Sequence, residues 1–197
     1  LKGRGRQGRP WFSASGGFAA TFAFCARAPL SNFSGFSLVV GCVLRDLCVA
    51  VGAEVGLKWP NDVLSLDGRK LSGVLIELVA RGDKTFVLIG IGMNLCDAPP
   101  EVSTSTSLFE LSGLRFSPRA FLERLAPPLF EAWTQFLTQG FQGFRDRWLA
   151  SALLSGKELA FDTGAGIARG RMSGVDERGA LLLEQGGKVV VVSAGHQ

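Results

Sequence analysis

The chain has 197 residues, of which 47% are hydrophobic and 19% charged, and a formal net charge of +4. Such a length and apolar content suit one good core with room for a small appendage, and exclude a disordered protein. The best apolar candidate for a membrane span, Phe36 to Leu44, is too short and stops at Arg45-Asp46, and the basic start lacks the apolar run of a signal peptide.

The chain opens on Gly3-Arg4-Gly5-Arg6-Gln7-Gly8-Arg9-Pro10-Trp11, where glycines and arginines alternate ahead of an aromatic residue. Glycine lets a backbone approach a ligand, and arginine carries a planar fork suited to phosphate and carboxylate. Lys2, Arg4, Arg6, Arg9, Arg27 and Arg45 all precede the first carboxylate, Asp46, so the positive field at this end invites an anion. On its own the loop is equally a solvated basic tail or an RNA-binding arm, since it matches neither a P-loop nor a dinucleotide fingerprint.

A turn is expected over Ser13–Gly17, then a strand in which Phe18, Ala20, Phe22 and Phe24 alternate. Ser37 to Val51 has helical spacing, with Ser34 or Ser37 as N-cap and Gly52 beyond its end. Val55 to Trp59 reads as a strand stopped by Pro60, and Asp67-Gly68 as the turn of a hairpin between Val63–Leu66 and the residues from Arg69 onward. Leu71–Val79 and Thr85–Ile91 are two further strands joined at Arg81-Gly82-Asp83, giving an antiparallel or mixed sheet. Ser117 to Leu137 is a helix with the stripe Phe121, Leu125, Leu129, Trp133 and Phe136, which Pro127-Pro128 is expected to kink or divide. Phe141 to Leu154 suggests another helix. Beyond it, Leu159–Asp162, Ala168–Val175, Ala180–Glu184 and Lys188–Ser193 read as short strands of a small β-barrel. The division expected is 1–154 and 155–197.

Cys25, Cys42, Cys48 and Cys96 form no C-x-x-C pair, and each lies in or beside an apolar run. They read as buried thiols of a reducing cytoplasm rather than zinc ligands. The single histidine, His196, is expected to be exposed beside the chain end, so a serine–histidine or cysteine–histidine mechanism has little support. The chain starts at Leu1, in what reads as the middle of a functional loop, and upstream residues are expected to be missing.

Three further clusters fall on turns or strand ends, where sites are usually built. Lys58-Trp59-Pro60-Asn61-Asp62 offers a phosphate-binding lysine and a carboxylate suited to Mg²⁺, or else a surface turn with a Lys58–Asp62 ion pair. Arg69-Lys70-Leu71-Ser72-Gly73 places Lys70 after a hairpin turn and a glycine within a strand, which marks either close approach of a ligand or a plain solvated hairpin. Gly90-Ile91-Gly92-Met93-Asn94 opens space at the end of an apolar strand, or forms a bulge and a turn.

Taken in order, the Gly-Arg-Gly-Arg loop, Lys-Trp-Pro-Asn-Asp, Lys-Leu-Ser-Gly-Val-Leu-Ile-Glu and Gly-Ile-Gly-Met-Asn resemble the pattern of biotin protein ligases, and 174–184 is similar to that family's SH3-like C-terminal domain. The resemblance implies an α+β fold, a mixed or antiparallel sheet packed with helices in the class II synthetase-like manner, followed by a small barrel. It implies formation of biotinyl-5′-AMP from biotin and ATP, with Mg²⁺, and transfer of biotin to a lysine of a biotin carboxyl carrier protein domain. By the family pattern Arg4, Gly5, Arg6, Lys70 and Gly73 serve biotin, with Lys70 and Arg6 as the catalytic pair. Arg9, Trp11, Lys58, Asn61 and Asn94 serve ATP, Trp11 by stacking on adenine, and Asp62 supports the metal ion.

Sheet-mediated dimers are common in that family, which makes a homodimer one expectation. The Ser-Thr-Asn type motif and glutamine that precede the loop in relatives are not in this sequence, nor is a DNA-binding helix-turn-helix. The usual Ser-Gly-Glu-Val-Ser close appears as Ser193-Ala194-Gly195-His196. The rival enzyme is a lipoate ligase or octanoyl transferase of the same fold. The rival from another class is an RNA-binding module, which gives no reason for Lys58, Lys70 and Asn94 to stand where they do; no nucleic acid or membrane partner is expected.

Overall fold

The computed structural model describes residues 3–12, 14–164 and 166–195. Leu1, Lys2, His196 and Ser13, the head of the expected Ser13–Gly17 turn, lie outside the described residues. The opening loop folds back on itself. Its strand β1 (Gly3–Arg4) pairs antiparallel with β2 (Pro10–Trp11), and a 3-10 turn over Arg6–Gly8 joins them.

Five strands make the main sheet: β3 (Phe18–Ala26), β4 (Val55–Lys58), β5 (Asp62–Ser65), β6 (Lys70–Arg81) and β7 (Lys84–Met93), in the spatial order β3-β7-β6-β5-β4. Every pairing is antiparallel. The short turns joining β4 to β5, β5 to β6 and β6 to β7 send the chain straight back beside itself, which leaves no room for a parallel crossover. Alternation along β3 turns Phe18, Ala20, Phe22 and Phe24 toward the core and leaves Ala19, Thr21, Ala23 and Cys25 exposed. Cys25 thus departs from the expectation of four buried thiols, because it occupies the outward phase of a strand. Cys96 is half-buried, and Cys42 and Cys48 are buried. Burial pushes both of those thiols up to about 12.

Helix α1 (Phe36–Ala50) is buried on almost every side through its first three turns, packed on the sheet and on a later helix. Its cap is Gly35, at φ 76°, and neither expected serine caps it; Ser37 instead donates its hydroxyl to the Pro60 carbonyl at 3.0 Å. The apolar stretch Leu30–Ala50 is longer than the sequence reading allowed, 21 residues of mean hydropathy 1.7, enough by length and composition to cross a membrane. Here it is a 3-10 turn followed by a core helix, with Val39, Val40 and Leu44 fully enclosed.

The short helix α2 (Leu108–Ser112) precedes α3 (Pro118–Gln139), which is capped by Ser117 and runs unbroken through Pro127 and Pro128. The expected division does not occur. The carbonyls that the prolines leave without donors belong to Glu123 and Arg124, both exposed to water. The opposite stripe is locked into the aromatic core: Phe121 meets Phe18 at 5.0 Å between ring centroids, Trp133 meets Phe24 at 4.8 Å, and Phe136 meets Phe36 at 4.7 Å. The expected helix over Phe141–Leu154 is reduced to a 3-10 turn and α4 (Arg145–Leu149).

The remaining strands, β8 (Glu158–Asp162), β9 (Ile167–Val175), β10 (Leu181–Gln185) and β11 (Lys188–Val192), form an antiparallel sheet ordered β11-β10-β9-β8. It is barrel-like in size, but β8 and β11 remain edges and the barrel is not closed. This sheet is fastened to the rest by Trp59, whose Nε1 donates to the Gly179 carbonyl at 2.9 Å and whose ring meets Phe161 edge-on at 5.2 Å. Arg145 Nε donates to the Val175 carbonyl at 2.8 Å. Gly179 and Gly35 touch so closely that a Cβ on Gly179 would lie 2.7 Å from the Gly35 Cα.

Candidate active site

A cleft of about 590 Å³ opens between the arginine–glycine loop and the ends of β4 to β7. The loop contributes Arg4, Gly5, Arg6, Arg9 and Trp11 to its walls, the β4–β5 turn contributes Lys58, Asn61 and Asp62, and β6 contributes Lys70 and Gly73. Gly90, Ile91 and Gly92 of β7 line it as well, so all four sequence motifs meet around one space. Asp62 is the only carboxylate among the described residues that line it.

Lys70 and Asp62 form the central charge pair, with Nζ 2.7 Å from Oδ1. A bulge between Val63 and Leu64 sets Lys70 opposite Leu64, a diagonal neighbour of Asp62 that a lysine side chain can reach. The alternative pairing of Lys58 with Asp62 does not form, although the two residues are register partners across β4 and β5. Asp62 Oδ1 is buried, and the Lys70 ammonium is its partner. Both side chains stay partly open to the cleft, at 35% and 19% of their full exposure.

Lys70 is also held through its backbone. Its N–H donates to the Thr104 carbonyl at 2.8 Å, and its carbonyl accepts from the Thr106 N–H at 3.0 Å. Asn94 stands behind this clamp, buried, with its amide donating to the Thr106 carbonyl at 3.0 Å and the Lys70 carbonyl at 3.5 Å. Asn94 is not among the residues lining the cleft, and its Nδ2 is engaged by those two backbone carbonyls. Asn61 does line the cleft, while its amide donates to the Val74 carbonyl at 2.8 Å.

In the loop, the Gly5 N–H donates to the Arg9 carbonyl at 2.7 Å, closing a tight turn around Arg6. Arg6 is half-buried, and loss of water lowers its guanidinium from the ordinary arginine range, with Asp62 opposing that shift and Arg9 adding to it. Arg4 and Arg9 are more exposed. The Trp11 indole packs against Gly92 and reaches Gly73 with Cζ3, and its Nε1 is buried without a partner. A Cβ on Gly73 would lie 3.3 Å from each of Lys70 Cε, Lys70 Nζ and Trp11 Cζ3, so this position is open only to a residue without a side chain.

The cleft includes residues that sequence reasoning passed over. Thr21 and Ala19 enter from the outward phase of β3, opposite Gly90 and Gly92, so the strand alternation was the signal that could have found them. Gly195 reaches the cleft from beyond the second sheet. Glu110 was also missed. It bonds Arg69, with Thr106 Oγ1 donating to it at 2.8 Å, and so ties the Lys70 hairpin to α2.

The chain matches the Biotin/lipoate A/B protein ligase family over residues 1–94 and the Biotin protein ligase C terminal domain over 154–196. It is 34% identical to a biotin–[acetyl-CoA-carboxylase] ligase of Paracoccus denitrificans, over 98% of this chain and 84% of the relative. It is 33% identical to the bifunctional ligase/repressor BirA of Escherichia coli, over 94% of this chain and 59% of that protein's length. Its fold superposes on a biotin protein ligase of Aquifex aeolicus in complex with biotin and ATP with a TM-score of 0.80 and 30% identity, covering 98% of this chain and 82% of the other. With the motif order, the cleft and these likenesses in agreement, the chain belongs to the biotin protein ligases of the biotin/lipoate A/B protein ligase family.

Proposed function

We propose that this chain joins biotin and ATP to give biotinyl-5′-AMP and pyrophosphate, and then passes biotin to one lysine of a biotin carboxyl carrier protein. The observation that carries this reading is the convergence of Arg6, Lys58 and Lys70 on one cleft with a single opposing carboxylate. Two anions must meet there, and negative charge develops on the oxygens around the α-phosphorus as the biotin carboxylate attacks it. Fixed cations stabilise that charge without reorganising. Lys70, on a paired strand, bridges the biotin carboxylate and the α-phosphate, and Arg6 closes over them from the loop. Arg4 and Gly5 cover biotin, with Gly73 in the floor beneath. Arg9, Lys58 and Asn61 take the polyphosphate, and Trp11 lies on the nucleotide side. Asn94 serves the site by holding the Lys70 backbone from behind. In the second step the acceptor amine attacks the biotinyl carbonyl, the bond to the phosphate oxygen breaks, and AMP leaves.

Mg²⁺ belongs to this reading as the ion that accompanies ATP. Asp62, the one carboxylate among the described residues lining the cleft, is the residue that would hold it, and the ion would screen phosphate charge. The division into a catalytic part, 1–154, and an SH3-like part, 155–197, follows the same reading. The free thiols support a cytoplasmic setting. Strand β3, which pairs only with β7 among the described residues and carries no charge along Phe18–Ala26, supports a homodimer through that edge.

Biotin-dependent exchange of pyrophosphate into ATP tests the activity. Exchange is expected with biotin, and exchange with lipoate alone would overturn the assignment in favour of a lipoate ligase.

A further inference from the structure

Two members of Lys58-Trp59-Pro60-Asn61-Asp62 have no part in the chemistry proposed above, Trp59 and Pro60. A tryptophan in a turn between two strands would ordinarily leave part of its ring in water, yet Trp59 is only 4% exposed. Part of its cover comes from the second sheet. The ring meets Phe161 of β8 edge-on at 5.2 Å, and Nε1 donates to the Gly179 carbonyl at 2.9 Å.

The acceptor is itself fixed. Gly179 lies in the turn between β9 and β10, where Asp176 Oδ1 accepts from the Arg178 and Ala180 N–H groups at 2.9 and 2.8 Å. A Cβ on Gly179 would meet Leu38 Cδ1 at 3.0 Å, so this turn is pressed against the head of α1. Trp59 thus joins a held turn of one sheet to the turn of the other that carries Lys58 and Asn61. That second turn has supports from α1 and β6 as well: Ser37 donates to the Pro60 carbonyl, and the Val74 N–H donates to the Asn61 carbonyl at 2.9 Å. These grips fall on Pro60 and Asn61, whereas Trp59 is the immediate neighbour of Lys58.

We propose that Trp59 is the positioning residue for the polyphosphate end of the cleft: Gly179 and Phe161 fix its indole, and the indole fixes the direction in which Lys58 and Asn61 enter the cleft. The assignment of Lys58 and Asn61 to ATP rests on the function proposed above. A side chain that only filled the core would disturb both substrates in step with stability. A positioning residue separates them, because Lys70 is held by β5, β7 and 104–106 and keeps its place when Trp59 changes.

Biotin-dependent pyrophosphate exchange reads this separation in the full chain. Trp59→Phe keeps an aromatic ring and removes the N–H donor. It should raise the KM for ATP by at least about fivefold and leave the KM for biotin within about twofold of the parent's. Trp59→Leu should raise the KM for ATP further. Phe161→Leu should act in the same direction and add little in a double variant with Trp59→Leu, because both loosen one contact. Leu125→Ala, a lesion of the core on α3, should lower the unfolding midpoint and leave the ratio of the two KM values unchanged. An unchanged KM for ATP in Trp59→Phe, or equal rises for ATP and biotin, would overturn the proposal; if Trp59→Leu does not fold, Trp59→Phe decides alone. Calorimetric titration with α,β-methylene-ATP, which cannot be adenylated onto biotin, gives the same comparison without turnover. Weaker binding of that analogue in Trp59→Phe, in a protein that shows no exchange with biotin, would uphold Trp59 and remove only the proposed function.

Discussion

The two sides of the cleft are built by opposite means. Lys70 belongs to a strand paired on both sides, and its backbone is clamped again by 104–106 with Asn94 behind. The contacts of the arginine–glycine loop include a two-residue ladder, one tight turn and the packing of the Trp11 indole on Gly92. A charge meant to act at a fixed point is best set on a rigid element, whereas a loop that must admit and then enclose a ligand can hold its place with few contacts. The comparison also separates kinds of defect: lesions in the strand should remove chemistry or stability, and lesions in the loop should change retention.

The largest effect is expected for Lys70→Ala, where single-turnover formation of biotinyl-5′-AMP should fall by roughly 10²–10³-fold while the unfolding midpoint barely moves. Near-normal adenylation would remove Lys70 from its central role. Asn94→Ala should leave the Lys70 and Thr106 carbonyls with one donor fewer in a buried place and lower stability by about 1–3 kcal/mol, read from urea unfolding. It should also weaken biotin binding in the absence of ATP, because the clamp on Lys70 loosens; an effect confined to ATP would make Asn94 a nucleotide contact instead. Arg6→Gly is expected to leave stability unchanged and to increase escape of the adenylate into solution several-fold. Release at the parent's rate would erase the distinction between loop and strand.

The smallest effect concerns the tie between hairpin and α2. The Glu110 carboxyl is held below its ordinary range by the hydrogen bond from Arg69 first and that from Thr106 second. A carboxyl with a lowered folded-state pKa stabilises the fold above its unfolded pKa, and that contribution fades as pH falls through the folded value. Glu110→Gln should therefore be slightly less stable than the parent near pH 7, with the gap closing below about pH 4. The site is largely open to solvent, so the gap is small. A gap that persists at pH 3 would show that the contact matters through packing and not charge.

Much of the fold was legible because its signals are local. The β3 alternation, the α3 stripe and the glycine turns of the second sheet each rest on periods of two or 3.6 residues and on turn chemistry. The positions that departed are those where neighbours distant in sequence take over. Pro127 and Pro128 stay within one helix because the aromatic core holds the opposite face. Ser34 and Ser37 lose the cap to Gly35, where Phe141 and the Arg178 carbonyl leave no space for a side chain.

By itself the sequence determined the order of the four motifs, the elements that carry them and the excess of cations that must converge on an anionic ligand. Those properties are local or additive, and a chain displays them whatever its fold. Only the tertiary structure decided that Asp62 pairs with Lys70 and not Lys58, that Asn94 stands behind the cleft, and that Trp11 packs against Gly92. Each of these depends on strand register, where a shift of one residue exchanges the faces of a sheet, and register is set by the packed whole.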